Sequence, residues 1–202
     1  SIPVRRIGRA DLVRFAGERL ARNNIVLGVV GDVTPQQLRT LLQKTFGELR
    51  PTAVAADVAD IQPVVAGKLV VVDMDVPQSA VAFAQEGLKR SDPRFYVLTV
   101  LNQILGGGGL SSRLFNEVRE KRGLVYGVYT TPVPLDHAAL LMGEAGTANE
   151  RVAETVSVIR EEWQSVAKQG VSEQELADSK TFLTGSFALR FAGSSRLEAF
   201  GP

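Results

Sequence analysis

The chain has 202 residues, of which 45% are hydrophobic and 22% are charged, so it can bury at least one ordinary core in one or two domains. Its 23 lysines and arginines stand against 22 acidic residues, and a net charge of +1 favours neither nucleic acid nor an anionic membrane as a partner. No apolar run approaches the roughly 20 residues that span a bilayer. The absence of cysteine excludes disulfides and thiolate metal sites but leaves the compartment open between cytoplasm and periplasm.

The first fifty residues predict a helix, a strand and a second helix. Apolar residues at helical spacing indicate a helix over 10–22, and the β-branched run at 25–33 favours a buried strand. Thr34 is a candidate N-cap, followed by Pro35 at the first helical position, which predicts a helix to Phe46. The chain opens without an initiator methionine and closes where a new helical pattern has barely begun, so we expect a piece of a longer protein.

The remainder of the chain predicts an α+β layer architecture. A linker at 51–66, rich in alanine, proline and aspartate, precedes predicted strands at 68–76 and 78–88 and a helix that starts at Asp92–Pro93 and stops at a run of glycines. Two more strands are expected at 124–133 and 138–146. The capping boxes "TANE" (147–150) and "SEQE" (172–175) then predict two helices. Strands and helices in this order favour a sheet covered by helices.

The stretch "GGGGLSSRLFNEVREKRGLVYGVYT" at 106–130 carries the densest pattern. Its glycines permit a tight turn between two helices, and a phosphate cradle is disfavoured because neither Gly-Lys-Ser/Thr nor a preceding strand is present. An apolar stripe of Leu110, Leu114, Phe115 and Val118 is expected to face the core.

Two interpretations of the polar residues in this stretch stay open on spacing alone. Arg119, Lys121 and Arg122 can be three solvated cations at a helix C-terminus, and Tyr126 can be an ordinary strand tyrosine. Alternatively, the stretch exists to present one or more of them to a ligand.

The same stretch resembles the signature of the C-terminal domain in the M16 (pitrilysin-like, inverzincin) metallopeptidases. The resemblance rests on "SRLF" at 112–115 and "REKRGLVY" at 119–126, and the flanking "NNIVLGVVGD" and "FGEL" agree with it. It implies an M16-like two-layer domain of sheet and helices, preceded by part of a similar half. Residues 1–50 would be the tail of the first half, 51–66 the linker, and 67–202 the second half, truncated at its C-terminus.

The resemblance also implies roles for individual residues. Arg119 and Tyr126 would be catalytic, donating hydrogen bonds to the charge that builds on the scissile carbonyl oxygen when a zinc-activated water attacks it. The turn residues Gly107, Gly108, Gly109 and Ser111 would bind the peptide substrate. Zinc would belong to the complete enzyme, held by an upstream domain or a partner subunit, and a homodimer or heterodimer is compatible with this arrangement.

The chain departs from the family pattern at the metal. The inverted motif H-x-x-E-H needs two histidines, and His137 is the only histidine in the sequence, so no zinc site is expected within this chain. A Ser-His-Asp hydrolase built on Ser111 or Ser112 lacks a nucleophile elbow. Two function classes remain, namely the transition-state half of a zinc peptidase and a non-catalytic structural or interaction subunit. The retention of both Arg119 and Tyr126 favours the peptidase.

Overall fold

The computed structural model describes residues 4–54, 58–64, 67–187 and 189, and it confirms the α+β class. The described residues fall into two compact units. The first includes 4–54 and the second runs from 58 to 185.

The first unit is helical. It contains α1 (Arg9–Arg19), α2 (Pro35–Phe46) and two short 3-10 helices, Val4–Arg6 and Arg22–Asn24. The predicted cap of α2 is confirmed, because Thr34 Oγ1 accepts a hydrogen bond from the Gln37 backbone N–H while the Gln37 side chain accepts from the Thr34 N–H at 2.9 Å.

The strand predicted over 25–33 is wrong. These residues have no strand assignment, and the apolar side chains of Val26, Leu27, Val29 and Val30 are exposed. A strand exists only where a neighbouring strand takes up its backbone N–H and C=O groups. Within the described part of the first unit, the nearest approach to such pairing is an isolated bridge between Ala21 and Arg50.

The second unit is built on a three-stranded antiparallel sheet. Its strands are β1 (Gln78–Glu86), β2 (Val125–Pro134) and β3 (Ala139–Ala148), in the spatial order β1-β3-β2. All three coincide with predicted strands to within about two residues at each end. Glu144 at the centre of β3 pairs with Ala82 of β1 on one side and with Tyr129 of β2 on the other.

The strand predicted over 68–76 is not formed. The described residues before Gln78 carry no strand assignment, and Leu69, Val70, Val71 and Val72 are all exposed. Residues 68–76 have the apolar, β-branched composition of a strand, but they pair with no other strand in the described part of the chain. The first segment of this unit that pairs is β1, which hydrogen-bonds to β3.

Helices cover one face of the sheet. The α-helices are α3 (Phe95–Asn102), α4 (Val152–Gln169) and α5 (Glu173–Phe187). Two π-helical segments, Gln103–Gly107 and Phe115–Glu120, and two 3-10 helices, Gly109–Ser111 and Asn149–Arg151, complete the set. The described part of the chain contains no helix that is both long and apolar enough to cross a membrane.

One of the two predicted capping boxes in this unit is confirmed and the other is wrong. Ser172 caps α5, because its Oγ accepts from the Glu175 N–H at 3.2 Å. Thr147 does not cap α4, which starts only at Val152. Thr147 lies on the buried face of β3, where its hydroxyl donates to the Leu124 carbonyl at 2.7 Å and contacts the Thr155 hydroxyl at 3.0 Å.

The core lies between the sheet and the helices. Along β3 the odd-numbered residues are buried and face the helices, while the even-numbered residues face the other side. The core cluster consists of Leu105, Leu114, Val118, Leu124, Val125, Val128, Ala145, Val158 and Ile159. The stretch singled out in the sequence therefore supplies several core residues as well as the polar groups described next.

Candidate functional site

The glycine run joins α3 to the helix that carries the arginines. Gly106 lies so close to β2 that an added Cβ would stand 2.5 Å from Thr130 Oγ1, and Gly109 has a φ of +57°. Both positions require glycine, the first for close approach and the second for backbone conformation. Gly107, Gly109 and Ser111 are exposed and Gly108 is half-buried, so these four are accessible to a ligand. Their role in substrate binding stays a prediction.

The motif helix, residues 113–120, is anchored by the predicted apolar stripe with one exception. Leu114, Phe115 and Val118 are buried, as predicted, but Leu110 is 73% exposed at the tip of the turn. The turn ends in a 3-10 helix, so Leu110 is out of phase with the stripe. From Phe115 to Glu120 the motif helix has π-helical hydrogen bonding, a form that occurs often at functional sites.

Three of the four cations in this stretch are paired with carboxylates. Lys121 Nζ and Arg122 Nη1 contact Glu117 Oε1 and Oε2 at 2.5 and 2.7 Å, and these bonds lower the pKa of the Glu117 carboxyl. Arg113 makes a two-pronged bond with Glu175 at the start of α5. Lys121 and Arg122 thus match the interpretation of surface cations at a helix end.

Arg119 differs from the other three. Its guanidinium carbon lies 4.8 Å from the centroid of the Phe115 ring and 5.6 Å from that of the Tyr126 ring. These distances are typical of cation–π contacts, which hold a cation without neutralising its charge. Among the residues that the structure describes, Arg119 makes no ion pair or hydrogen bond through its side chain. Its N–H groups therefore remain available.

Tyr126 is presented by an irregularity in the sheet. Between β2 and β3 the register steps from Val125 opposite Thr147 to Gly127 opposite Gly146, so Tyr126 is the extra residue of a β-bulge. Its side chain is 85% exposed, and within the described residues its hydroxyl has no hydrogen-bond partner. The motif helix and the bulge together bring Arg119 and Tyr126 side by side, although they are seven residues apart.

Sequence reasoning missed two features of this site. Phe115 was assigned only to the core, yet its ring is the nearer of the two that hold Arg119. A second exposed tyrosine, Tyr129, donates to Glu144 Oε2 across the ladder at 2.6 Å, and this bond raises the pKa of the tyrosine. An aromatic residue four before an arginine on a helix was an available signal for the first feature. The second depends on strand register.

The residues present do not fit a metal site. Within the described part of the chain, no three histidine or acidic side chains converge as metal ligands would. His137 lies in the turn between β2 and β3, where its Nδ1 is 3.3 Å from Asp60 Oδ1 while Lys89 Nζ contacts the other oxygen of the same carboxylate. This exposed cluster attaches the segment 58–64 to the sheet unit.

Comparison with known proteins gives consistent matches over most of the chain. The sequence profile of the family described as peptidase M16 inactive domain matches residues 6–183. An uncharacterized zinc protease of Streptomyces coelicolor is 32% identical over 190 residues, which cover 89% of this chain and 40% of that protein. An uncharacterized zinc protease of Mycobacterium bovis is 32% identical over 199 residues, which cover 96% of this chain and 45% of the relative.

A solved structure gives the same result at the level of the fold. The crystal structure of a peptidase M16 inactive domain from Pseudomonas fluorescens is 29% identical and superposes with a TM-score of 0.80, covering 100% of this chain and 48% of the other. This chain spans less than half the length of each of these three proteins.

Proposed function

Because the chain belongs to the peptidase M16 family, we propose that it supplies the peptide-binding and transition-state-stabilising groups of a zinc peptidase. The metal would be held by another domain of the same polypeptide or by a partner subunit, since the described residues here offer no ligand set. The name zinc protease carried by the relatives supports this assignment of the metal to the complete enzyme.

The observation that carries the proposal is the state of Arg119. Arg113, Lys121 and Arg122 are paired with glutamates, and only Arg119 among the cations of the described motif keeps its donors free while aromatic rings hold it in place. A cation that served only solubility would not need two aromatic contacts. The adjacent Tyr126 hydroxyl is a second free donor on the same side of the motif.

These two groups match the demand of peptide-bond hydrolysis. When a nucleophile adds to the peptide carbonyl, negative charge develops on its oxygen, and donors already in place stabilise that charge without rearrangement. A guanidinium contributes charge-assisted hydrogen bonds, and a tyrosine hydroxyl contributes an ordinary one. Arg119 and Tyr126 would donate to this oxygen, while the exposed turn of Gly107, Gly108, Gly109 and Ser111 would contact the substrate backbone.

The test compares four substitutions in a zinc-loaded assembly. Tyr126→Phe removes one hydroxyl, and we expect kcat to fall by about 10²- to 10³-fold, the usual loss for one donor to a developing oxyanion. Arg119→Ala should cost at least as much and should also raise KM, because a guanidinium can hold a carbonyl in the ground state. Lys121→Ala and Arg122→Ala are matched controls that remove neighbouring cations, and they should change kcat little.

The pattern of effects separates the two function classes. Full kcat in the Tyr126→Phe protein, with zinc bound and the fold intact, would refute the catalytic assignment. It would leave the chain as a structural or interaction subunit of an M16 assembly. Four effects of similar small size would lead to the same conclusion.

A further inference from the structure

Arg113 and Glu175 form an ion pair of the second unit in which both side chains are largely shielded from solvent. Arg113 Nε donates to Glu175 Oε1 at 2.5 Å and Nη2 donates to Oε2 at 2.7 Å, which is the two-pronged geometry that fixes orientation as well as distance. The two side chains are 21% and 30% exposed, so water competes less than at a surface pair. The pair joins the first residue of the motif helix to the first turn of α5.

Glu175 is itself held in place by a second set of bonds. Its Oε2 accepts from the backbone N–H and from the hydroxyl of Ser172, both at 2.8 Å, so the carboxylate belongs to the capping box of α5. Arg113 Nη2 also approaches the Gly170 carbonyl at 3.5 Å. Arg113 is therefore bonded to the turn before α5, and the Ser172–Glu175 hydrogen bonds hold that turn without help from Arg113.

Apolar packing and the ion pair hold the motif helix in different ways. Leu114 and Val118 bury the helix against the core, but the hydrophobic contribution depends on buried area and not on direction. A bidentate bond at one end restrains rotation and sliding of the helix. Arg119 sits six residues further along the same short helix, whereas Tyr126 sits on β2, so their stacking depends on how the helix is set against the sheet.

We propose that Arg113 and Glu175 are a positioning pair that sets the motif helix so that Arg119 stacks on Tyr126. On this proposal the pair acts through the placement of Arg119 and not on the substrate, and its consequence for catalysis rests on the proposed function. Arg119 has no ion pair of its own in the described part of the chain, so the aim of its guanidinium follows the placement of the helix. The exposed pair Arg151–Glu154, by contrast, joins residues only three apart and links no two distant segments.

Carboxylates around Arg113 strengthen the case. Glu117 and Glu162 act on it electrostatically in addition to Glu175, and burial together with Glu117 raises the pKa of the Glu162 carboxyl. Removing the Arg113 charge would leave Glu175 without its arginine partner and would remove one of the cations near Glu162, whereas Glu117 would keep its bonds to Lys121 and Arg122. The motif helix would then lose its link to α5.

The experiment measures kinetics and the environment of Arg119 in the zinc-loaded assembly. Arg113→Ala should lower kcat by about 10- to 100-fold, the loss expected when a donor is displaced by about 1 Å, while KM changes by less than roughly twofold. Arg113→Lys keeps the charge but loses the fork, so an intermediate kcat is expected. The Arg119 Nε–Hε NMR signal, shifted by the two flanking rings, should move toward the position of an exposed arginine in Arg113→Ala.

The matched control is Arg94→Ala. Arg94 also makes a two-pronged bond to a carboxylate, that of Asp92, but it lies outside the motif helix. Its removal should therefore leave kcat and the Arg119 signal unchanged. Unchanged kcat and an unshifted Arg119 signal in folded Arg113→Ala or Arg113→Lys would overturn the positioning role. If Tyr126→Phe keeps full kcat but Arg113→Ala still shifts the Arg119 signal, the proposed function fails and the positioning pair stands.

Discussion

Replacing Gly106 with alanine should destabilise the second unit. The added Cβ would stand 2.5 Å from Thr130 Oγ1, 2.9 Å from its Cγ2 and 3.0 Å from its backbone N, whereas ordinary carbon contacts lie at about 3.5–4.0 Å. Thr130 cannot move aside cheaply, because it is buried in β2 and its hydroxyl donates to Asn102 Oδ1 at 2.7 Å. The methyl group must therefore shift a strand, a helix end, or both.

The expected cost follows from three contributions. Overpacking a core costs about 1–3 kcal/mol. Weakening the buried Thr130–Asn102 hydrogen bond costs about 1–3 kcal/mol. The better helix propensity of alanine returns up to about 1 kcal/mol, so the free energy of unfolding should fall by about 1–4 kcal/mol, allowing for partial relaxation.

Urea unfolding followed by fluorescence of Trp163 measures this loss. Trp163 is the only tryptophan of the chain and lies in the second unit, with its ring edge-on to Phe83 and its indole N–H bonded to Gln85. With a typical denaturant slope, the midpoint should fall by about 0.5–2 M. Gly185→Ala is the control, since its Cβ would meet open space in α5 and should raise stability by about 0.5–1 kcal/mol. Equal or greater stability of Gly106→Ala would refute the close-approach argument.

Further expectations concern the metal, acid stability and the core. The purified 202-residue chain should bind no stoichiometric zinc and cleave no peptide alone, and elemental analysis that finds one tightly held zinc per chain would contradict this. The Arg113 bond lowers the pKa of Glu175 from 4.5 to about 2, so its contribution is complete above about pH 5 and is lost as the pH falls toward 2. Acid titration of stability should therefore be shallower in Glu175→Gln, and identical profiles would count against the pair. Leu114→Ala, at a fully buried position, should cost about 3–5 kcal/mol in the same urea assay, and a loss below about 1 kcal/mol would show that the motif helix is not anchored by its core face.

Local signals in the sequence predicted most of the helices and all three strands found among the residues that the structure describes. The caps at Thr34 and Ser172 are confirmed, because a capping box involves only residues three apart and needs no tertiary partner. Composition and alternation located β2 and β3, each of which buries one face, and β1, in which half-buried and exposed residues alternate over most of the strand. These features depend on neighbours in the chain, which a single sequence displays.

The errors arise where structure depends on distant groups. The runs at 25–33 and 68–76 have strand composition, but a strand also needs a partner at hydrogen-bonding distance, and composition does not report one. Thr147 has the spacing of an N-cap, yet its hydroxyl lies on the buried face of β3. In both cases a tertiary requirement overrides a correct local preference.

The candidate site shows the same division. Spacing left Arg119 and Tyr126 open to two interpretations and the family resemblance selected them, and the structure places the two side chains in contact. The bond from Arg113 to Glu175 spans 62 residues and could not be read from either segment alone. Lys121 and Arg122 are paired because the Glu117 side chain projects toward them, whereas Arg119 is unpaired among the described residues. The sequence alone does not show in which direction Glu117 projects.

Tyr126 lies at a β-bulge, so the residue proposed to act in catalysis is not one that the fold requires. As the extra residue of the ladder, Tyr126 contributes neither a core side chain nor a partner for β3, whereas Val125 and Val128 on either side are buried. Mutational drift at this position therefore meets little resistance from folding, and a descendant could lose the hydroxyl while it keeps the same sheet and helices. On the proposed function, one substitution at this position would therefore remove a hydroxyl donor and leave the domain as a scaffold with the same fold.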